Sequence, residues 1–113
     1  MDFEKQKAIF IQIADNLSER ILAGDWKEES RIPSVRDTAG LMGVNPNTVM
    51  RAYDLLQQQG IIVNQRGIGY FVSPDAKKTI ARSQREIFIN EEWPAIKAKI
   101  EMLGLSLDDL LGN

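Results

Sequence analysis

Two closely spaced helix starts constrain the fold of this chain more than any other feature. Ser34–Asp37 has the pattern of a capping box, in which the Ser34 hydroxyl accepts from an amide three residues on and Asp37 reaches back. Gly43 can end that helix, and Asn45 followed by Pro46 is typical of a new N-cap and first helical position. The sequence therefore predicts two short helices joined by a tight, glycine-containing turn.

Another helix precedes this pair, and a β-hairpin follows it. Apolar residues recur every four positions from Ile9 to Ile21, which predicts an amphipathic helix over about residues 7–23, closed by Gly24. The helix that starts at Asn45 ends at Gly60, and β-rich runs at 61–63 and 70–72 flank a glycine-containing loop. The expected core-facing residues of the second and third helices are Val35, Ala39, either Leu41 or Met42, Val49, Ala52, Tyr53 and Leu56.

The order helix, helix, turn, helix, hairpin is the outline of a winged helix-turn-helix. We therefore expect a mainly α fold with a small β-hairpin (α+β class), with the winged helix-turn-helix over residues 1–74. Residues 79–103 are helical in character, with a kink or a restart at Pro94, and Ser106–Asp109 forms a second capping box. We expect 75–113 to be a two-helix dimerisation segment whose buried contacts are Ile87, Phe88, Ile96, Ile100 and Leu103.

Charge is distributed unevenly along the chain. The net charge is −2, yet residues 31–72 hold four arginines against two aspartates. A basic stretch inside an acidic chain is a weak indication of phosphate binding, and an ordinary solvated surface explains it equally well.

The composition argues against an enzyme. The chain has no cysteine and no histidine, which removes thiolate chemistry, the commonest general base and the commonest metal ligand. Glu91–Glu92 and Asp108–Asp109 are adjacent pairs, and adjacent residues do not face each other on a helix. We expect no metal, no cofactor and no catalytic site.

The start of the third helix is the strongest candidate for DNA contact. Asn47, Thr48, Met50 and Arg51 crowd its outer side, where a recognition helix meets the major groove. Arginine can grip guanine bidentately and asparagine can grip adenine. Met50 is either simply exposed or touches a thymine methyl, and Asn45 acts mainly as a cap. The full expected DNA-binding set is Arg31, Ser34, Arg36, Asn45, Asn47, Thr48, Met50, Arg51, Arg66 and Gly67.

Arg36 and the hairpin tip complete this surface. Arg36 lies in the first turn of the second helix, beside its positive end, and suits a phosphate or groove-edge contact. The glycine of Arg66–Gly67 lets the backbone approach closely, and an arginine at a wing tip can enter a narrow minor groove. Arg31 is either a contact of this kind or a loop charge without function.

Several strings of the sequence are long, ordered and correctly spaced: Ile32–Asp37, Gly43–Val49, Arg51–Tyr53, Leu56, Gly60 and Arg66–Val72. Together they resemble the GntR family of bacterial regulators, and the string around Asn45–Thr48 most resembles its YtrA-type subfamily. The resemblance covers about residues 8–72, and the helical tail also resembles that subfamily, in which two helices mediate dimerisation. It implies that Arg36, Asn47, Thr48, Arg51, Arg66 and Gly67 contact a palindromic operator as part of a symmetric dimer. It further implies a repressor that often controls transporter genes.

The sequence departs from the subfamily in two places. YtrA-type proteins often carry basic residues at the positions of both Met50 and Arg51, so the loss of one charge affects base preference. Lys27–Ser30 replaces a proline-glycine turn and places two glutamates near Arg31.

The main alternative to DNA binding is a winged helix that binds a partner protein. Such a face should carry apolar or aromatic anchors, whereas this one carries Asn47, Thr48 and Arg51. No apolar run is long enough to span a membrane and the start lacks an export signal, which places the protein in the cytoplasm. Whether a small-molecule effector exists is an open question: two helices cannot enclose a ligand within one subunit, although a dimer interface can.

Overall fold

The computed structural model describes residues 7–112, so the outer limits of both predicted domains lie outside the described residues. The elements follow in the order α1 (Ile9–Ala23), α2 (Val35–Met42), α3 (Pro46–Gln58), β1 (Ile62–Gln65), β2 (Gly69–Val72), α4 (Ala76–Ile87), a π-helical turn (Phe88–Glu92), α5 (Trp93–Met102) and α6 (Leu107–Leu111). The predicted mainly α fold with a small hairpin is confirmed.

The first three helices and the hairpin enclose one apolar core. Leu17 and Ile21 of α1 are buried there, while Ile9, the first residue of the predicted stripe, is 59% exposed because it lies a full turn before the first buried residue. α3 contributes four completely buried side chains, as its spacing predicts. These are Val49, Ala52, Tyr53 and Leu56.

α2 begins and ends near the predicted residues, with two differences in detail. The Asp37 amide donates to the Ser34 hydroxyl at 3.0 Å, but the described hydrogen bonds include no return bond from the Asp37 carboxylate. Gly43 ends the helix with φ of +68°. Met42 packs against the core and Leu41 is 81% exposed. Of the two residues predicted for this core position, Leu41 was therefore wrong and Met42 is confirmed.

The hairpin pairs Ile62 with Val72 and Gln65 with Gly69 in antiparallel register. Ile61, predicted as strand, instead donates its amide to the Leu56 carbonyl and so closes the end of α3. The loop before α2 lies along the free edge of β2, with an isolated bridge between Arg31 and Phe71. β2 therefore lies in the middle of a three-stranded arrangement, with β1 on one side and the loop on the other.

The two glutamates of that loop have backbone roles. A Glu28 carboxylate oxygen accepts from the Lys77 amide at 3.3 Å, which satisfies a free donor at the start of α4. Glu29 donates its own amide to the Val72 carbonyl at 2.8 Å and holds φ of +67°, a conformation that glycine adopts at lower cost. Glu28 thus supports α4 as well as contributing charge near Arg31.

The chain divides into two compact units, one ending at Ile80 and one beginning at Ala81. The first turn of α4 belongs to the earlier unit, where Ala76 and Ile80 are buried. The functional division that we predict at residues 74/75 remains a prediction.

In the second unit, helix continues through Pro94 by a wider turn. The Trp93 amide donates to the Phe88 carbonyl, five residues earlier, and Pro94 then occupies the first turn of α5, where it needs no amide donor. The predicted kink or restart is therefore a π-helical turn. The second capping box is confirmed. The Ser106 amide donates to the Asp109 carboxylate at 2.8 Å, which lowers the pKa of that carboxyl, and the Asp109 amide donates to the Ser106 hydroxyl at 3.2 Å.

Candidate nucleic-acid interface

The start of α3 is built by its cap. The Asn45 side-chain oxygen accepts from the Asn47 amide at 2.7 Å, and Pro46 fills the first helical turn. The exposed Asn47 side chain therefore projects from a helix start that carries free amides and the positive end of the helix dipole. Such a helix start favours phosphate and other anions.

One side of α3 is buried in the core, and this burial decides which residues of the helix remain on its outer face. With the four inward residues fully buried, Asn47, Met50, Arg51 and Asp54 remain exposed on the opposite side. Thr48 lies at the edge and is half-buried. Asp54 follows Met50 by one helical turn, and its negative charge confines the surface suited to DNA to the first two turns of the helix.

Arg51 is held by an aromatic ring that the sequence reasoning missed. Its guanidinium carbon lies 4.1 Å from the centroid of the Phe10 ring, a cation–π contact between α3 and α1. The ring restricts the side chain and leaves it exposed. Phe10 carries no polar signal in the sequence, and only its position one turn before the buried Ala14 hints at its location.

Met50 contacts the hairpin. The Tyr70 hydroxyl donates to Met50 Sδ at 3.9 Å, and the Tyr70 ring meets the Tyr53 ring edge-on, with centroids 4.8 Å apart. Met50 keeps 42% of its surface exposed. Tyr70 thus joins the hairpin to both faces of α3, a role that the sequence reasoning did not assign.

Tyr53 links α3 to the residues before and within α2. Its hydroxyl donates to the Pro33 carbonyl at 2.6 Å and accepts from the Thr38 hydroxyl at 2.8 Å. Burial raises the pKa of Tyr53 above its ordinary value, and the Thr38 hydrogen bond offsets only part of that rise. The prediction that Tyr53 is a core residue is confirmed.

The remaining candidates lie around α2 and the hairpin. Arg36 is exposed in the first turn of α2, whereas the Ser34 hydroxyl already serves as the helix cap. Arg66 and Gly67 lie exposed at the hairpin tip, where Gly67 has φ of +78° and open space around it. Arg31 lies at the other edge of β2, with its guanidinium against Gly69.

The arginines of this surface are available to an external anion. The ion pairs found among residues 7–112 join Lys7 to Asp15 and Arg20 to Asp25, and neither includes a predicted DNA-binding residue. Arg31, Arg36, Arg51 and Arg66 are all exposed. An exposed arginine with no carboxylate partner can bind phosphate without first breaking an internal ion pair.

Comparison with known proteins identifies the family. A model of the bacterial regulatory proteins of the gntR family matches residues 11–72, more than half of the chain. The chain belongs to the GntR family. It is 33% identical to the transcriptional repressor YtrA of Bacillus subtilis over 110 residues, which cover 97% of this chain and 84% of that protein. The resemblance to the YtrA type is thereby confirmed.

Solved structures agree with this assignment. A GntR-family regulator from Bacteroides thetaiotaomicron is 45% identical and superposes with a TM-score of 0.74, covering 91% of this chain and 89% of that one. The DNA-binding domain of AraR, solved with its operator, is 26% identical with a TM-score of 0.59, over 62% of this chain and 84% of that one. This GntR-family chain is a DNA-binding transcription regulator and not an enzyme.

The second unit of the structure exposes an unusual amount of apolar surface. Four of the five predicted dimerisation residues are exposed, Ile87, Phe88, Ile96 and Leu103, and Ile100 is half-buried. Trp93 and the leucines of α6 are exposed as well. Within residues 7–112 no helix is both long enough and apolar enough to cross a membrane.

Proposed function

We propose that this protein is a sequence-specific repressor that binds a palindromic operator as a homodimer. The observation that carries the proposal is the outer face of α3, where Asn47, Met50 and Arg51 are exposed above a helix whose other side is locked in the core. An arginine and an asparagine at the start of such a helix suit base edges in the major groove.

Around that reading surface, other residues position the duplex. Arg36 and Thr48 suit phosphate contacts beside the starts of α2 and α3, and Arg66 with Gly67 suits the minor groove beside the hairpin tip. Ser34 and Asn45 contribute mainly by capping the helices that carry these groups. The DNA-binding domain of AraR, a protein of similar fold, was solved with its operator, which supports DNA binding by a domain of this fold.

The exposed apolar residues of the second unit support dimerisation. Surfaces of this kind on a soluble chain mark interaction sites, and a symmetric dimer on a palindrome uses one patch on both subunits. Repression is proposed from the similarity to YtrA, and control of transporter genes from the subfamily resemblance. Because its target is chromosomal DNA, we place the protein in the cytoplasm.

The proposal is tested by selecting duplexes from a random-sequence pool with the full chain and measuring their affinity against random DNA. We expect a palindromic consensus whose affinity falls steeply as salt rises. Arg51→Ala should weaken binding to the selected duplex by about 1–3 kcal/mol and relax preference at one base position.

Arg82→Ala is the matched control, because Arg82 is an exposed arginine on α4 outside the proposed interface. It should leave affinity for the selected duplex nearly unchanged. If the pool yields no consensus and the protein binds no duplex at any salt concentration, the DNA-binding proposal is wrong and the alternative of a protein-binding winged helix takes its place.

A further inference from the structure

The Arg31 guanidinium lies close against Gly69, and the proposed function does not explain this contact. We call this contact the seat of Arg31. A Cβ built on Gly69 would lie 2.7 Å from Arg31 Nε and 3.1 Å from both Cζ and one terminal nitrogen. Real Cβ atoms essentially never come within 3.0 Å of another heavy atom. The guanidinium therefore occupies space that is free only because residue 69 has no side chain.

Strand geometry explains why these two residues meet. Arg31 bridges Phe71 across the free edge of β2, so the two side chains lie on the same face of the sheet. Gly69 precedes Phe71 by two residues and belongs to that face as well. The long Arg31 side chain thus runs diagonally along β2 toward the end of the strand that joins the hairpin tip.

The charge at this position is free to act on a ligand. Arg31 is exposed, and among the described residues it takes part in no ion pair. Gly69 follows Arg66 by three residues, so the seat brings the Arg31 charge to the hairpin end that carries Arg66. A guanidinium that already lies close against Gly69 loses less side-chain entropy on binding than a free one.

We propose that Gly69 is a positioning residue that seats the Arg31 guanidinium for a phosphate contact at the base of the hairpin tip. The inference rests on the proposed function, since it assigns the ligand as the DNA backbone. Gly69 has no side chain that could contact DNA, and it affects binding by positioning the Arg31 guanidinium.

A double-mutant cycle tests this role. Operator affinity is measured for the full chain, Arg31→Ala, Gly69→Ala and the double variant, from about 50 to 200 mM salt. Each single variant should lose about three- to tenfold in affinity on selected and random duplexes alike, and its salt slope should fall by about 0.9, the value for one phosphate contact. The double variant should bind within about twofold of Arg31→Ala.

Gly60→Ala is the matched control. Gly60 follows α3 and lies outside the proposed DNA-binding set; it has φ of +77°, and a Cβ there meets nothing within 4 Å. Gly69 has φ of +149°, so both alanine variants carry backbone strain, and only Gly69→Ala collides with a guanidinium. Gly60→Ala should keep the salt slope of the wild type, and any effect on affinity should be the same with and without Arg31.

Each contrary result has a distinct meaning. If Gly69→Ala costs the same factor in both backgrounds, strain alone explains it and the seat is overturned. If Arg31→Ala binds like the wild type while Arg51→Ala does not, the phosphate contact is wrong and the proposed function stands. If the wild type binds no duplex, both proposals fail.

A second variant covers the case in which Gly69→Ala does not fold, as judged from its circular dichroism. Arg31→Lys keeps the charge but has no planar group to lie on the backbone. The seat predicts weaker operator binding for Arg31→Lys, and affinity equal to that of the wild type would count against it.

Discussion

Single residues connect the parts of this DNA-binding domain. The Tyr53 hydroxyl joins α3 to the carbonyl of Pro33 and the hydroxyl of Thr38, and Tyr70 joins the hairpin to Tyr53 and Met50. Thr38 is itself buried, so its hydroxyl depends on Tyr53 for a partner. α3, the proposed recognition helix, is thus positioned by hydroxyl groups as well as by apolar packing.

Removing the Tyr53 hydroxyl should lower the free energy of unfolding far more than removing the Tyr70 hydroxyl. Tyr53→Phe removes the partner of the buried Thr38 hydroxyl and of the part-buried Pro33 carbonyl, so we expect the free energy of unfolding in urea to fall by about 1–2 kcal/mol. Tyr70→Phe, the control, loses only a 3.9 Å contact to sulfur and should change the free energy of unfolding by less than about 0.5 kcal/mol.

The free energy of unfolding of the wild type and that of Tyr53→Phe should respond differently to alkaline pH. Because the pKa of Tyr53 is raised in the folded state, the unfolded chain loses this proton first as pH increases, and the stability that the hydroxyl provides is lost above the unfolded value near 10. The stability difference between wild type and Tyr53→Phe should therefore shrink above that pH. A constant difference across the alkaline range would contradict the shift.

At the scale of elements, the N-terminus of α3 combines helix capping with the proposed DNA contacts. Asn45 caps the helix through its side-chain oxygen, and Asn47 receives that cap while exposing its own side chain. A loss of DNA binding on changing Asn45 therefore has two explanations, fraying of the helix start or loss of a base contact.

Two substitutions at Asn45 separate these explanations. Asn45→Ala should cost about 1 kcal/mol of stability and weaken operator binding, because the first turn of α3 frays. Serine is an equally good cap, so Asn45→Ser should restore both the free energy of unfolding and most of the affinity. A serine variant that is fully stable yet binds as weakly as the alanine variant would make Asn45 a direct contact.

For the whole molecule, the division into two units matches a division of surface chemistry. The unit that ends at Ile80 buries its large apolar residues in one core, whereas the unit that begins at Ala81 leaves most of its own exposed. Apolar surface of that extent on a small helical segment is unfavourable in water. A second copy of the chain is the partner that we propose for it.

Charge placed in that surface should separate the subunits. Ile96→Glu and Leu103→Glu each bury a carboxylate in the proposed interface, so we expect light scattering at micromolar concentration to give a monomer mass for the variants and a dimer mass for the wild type. Leu41→Glu is the control, since Leu41 is the most exposed large apolar residue among residues 7–112 and lies in the other unit. A monomeric wild type, or variants that stay dimeric, would refute the assignment.

Features set by hydrogen bonds between near neighbours followed from the sequence alone. The caps at Ser34, Asn45 and Ser106 and the turn at Gly43 involve partners within a few residues, so residue type and spacing suffice to place them. The buried stripe of α3 follows from helical periodicity in the same way. These local rules established the winged helix-turn-helix and the helix for which we propose the DNA-reading role.

Contacts between distant residues were decided only by the tertiary structure. Met42 rather than Leu41 turns to the core, Arg51 stacks on Phe10, and Arg31 lies on Gly69. Each depends on how elements far apart in the chain pack, because a side chain's neighbours across a core are fixed by the summed packing of all of them. The sequence thus determined which face of α3 is left outside the core, and packing determined how its side chains are held there.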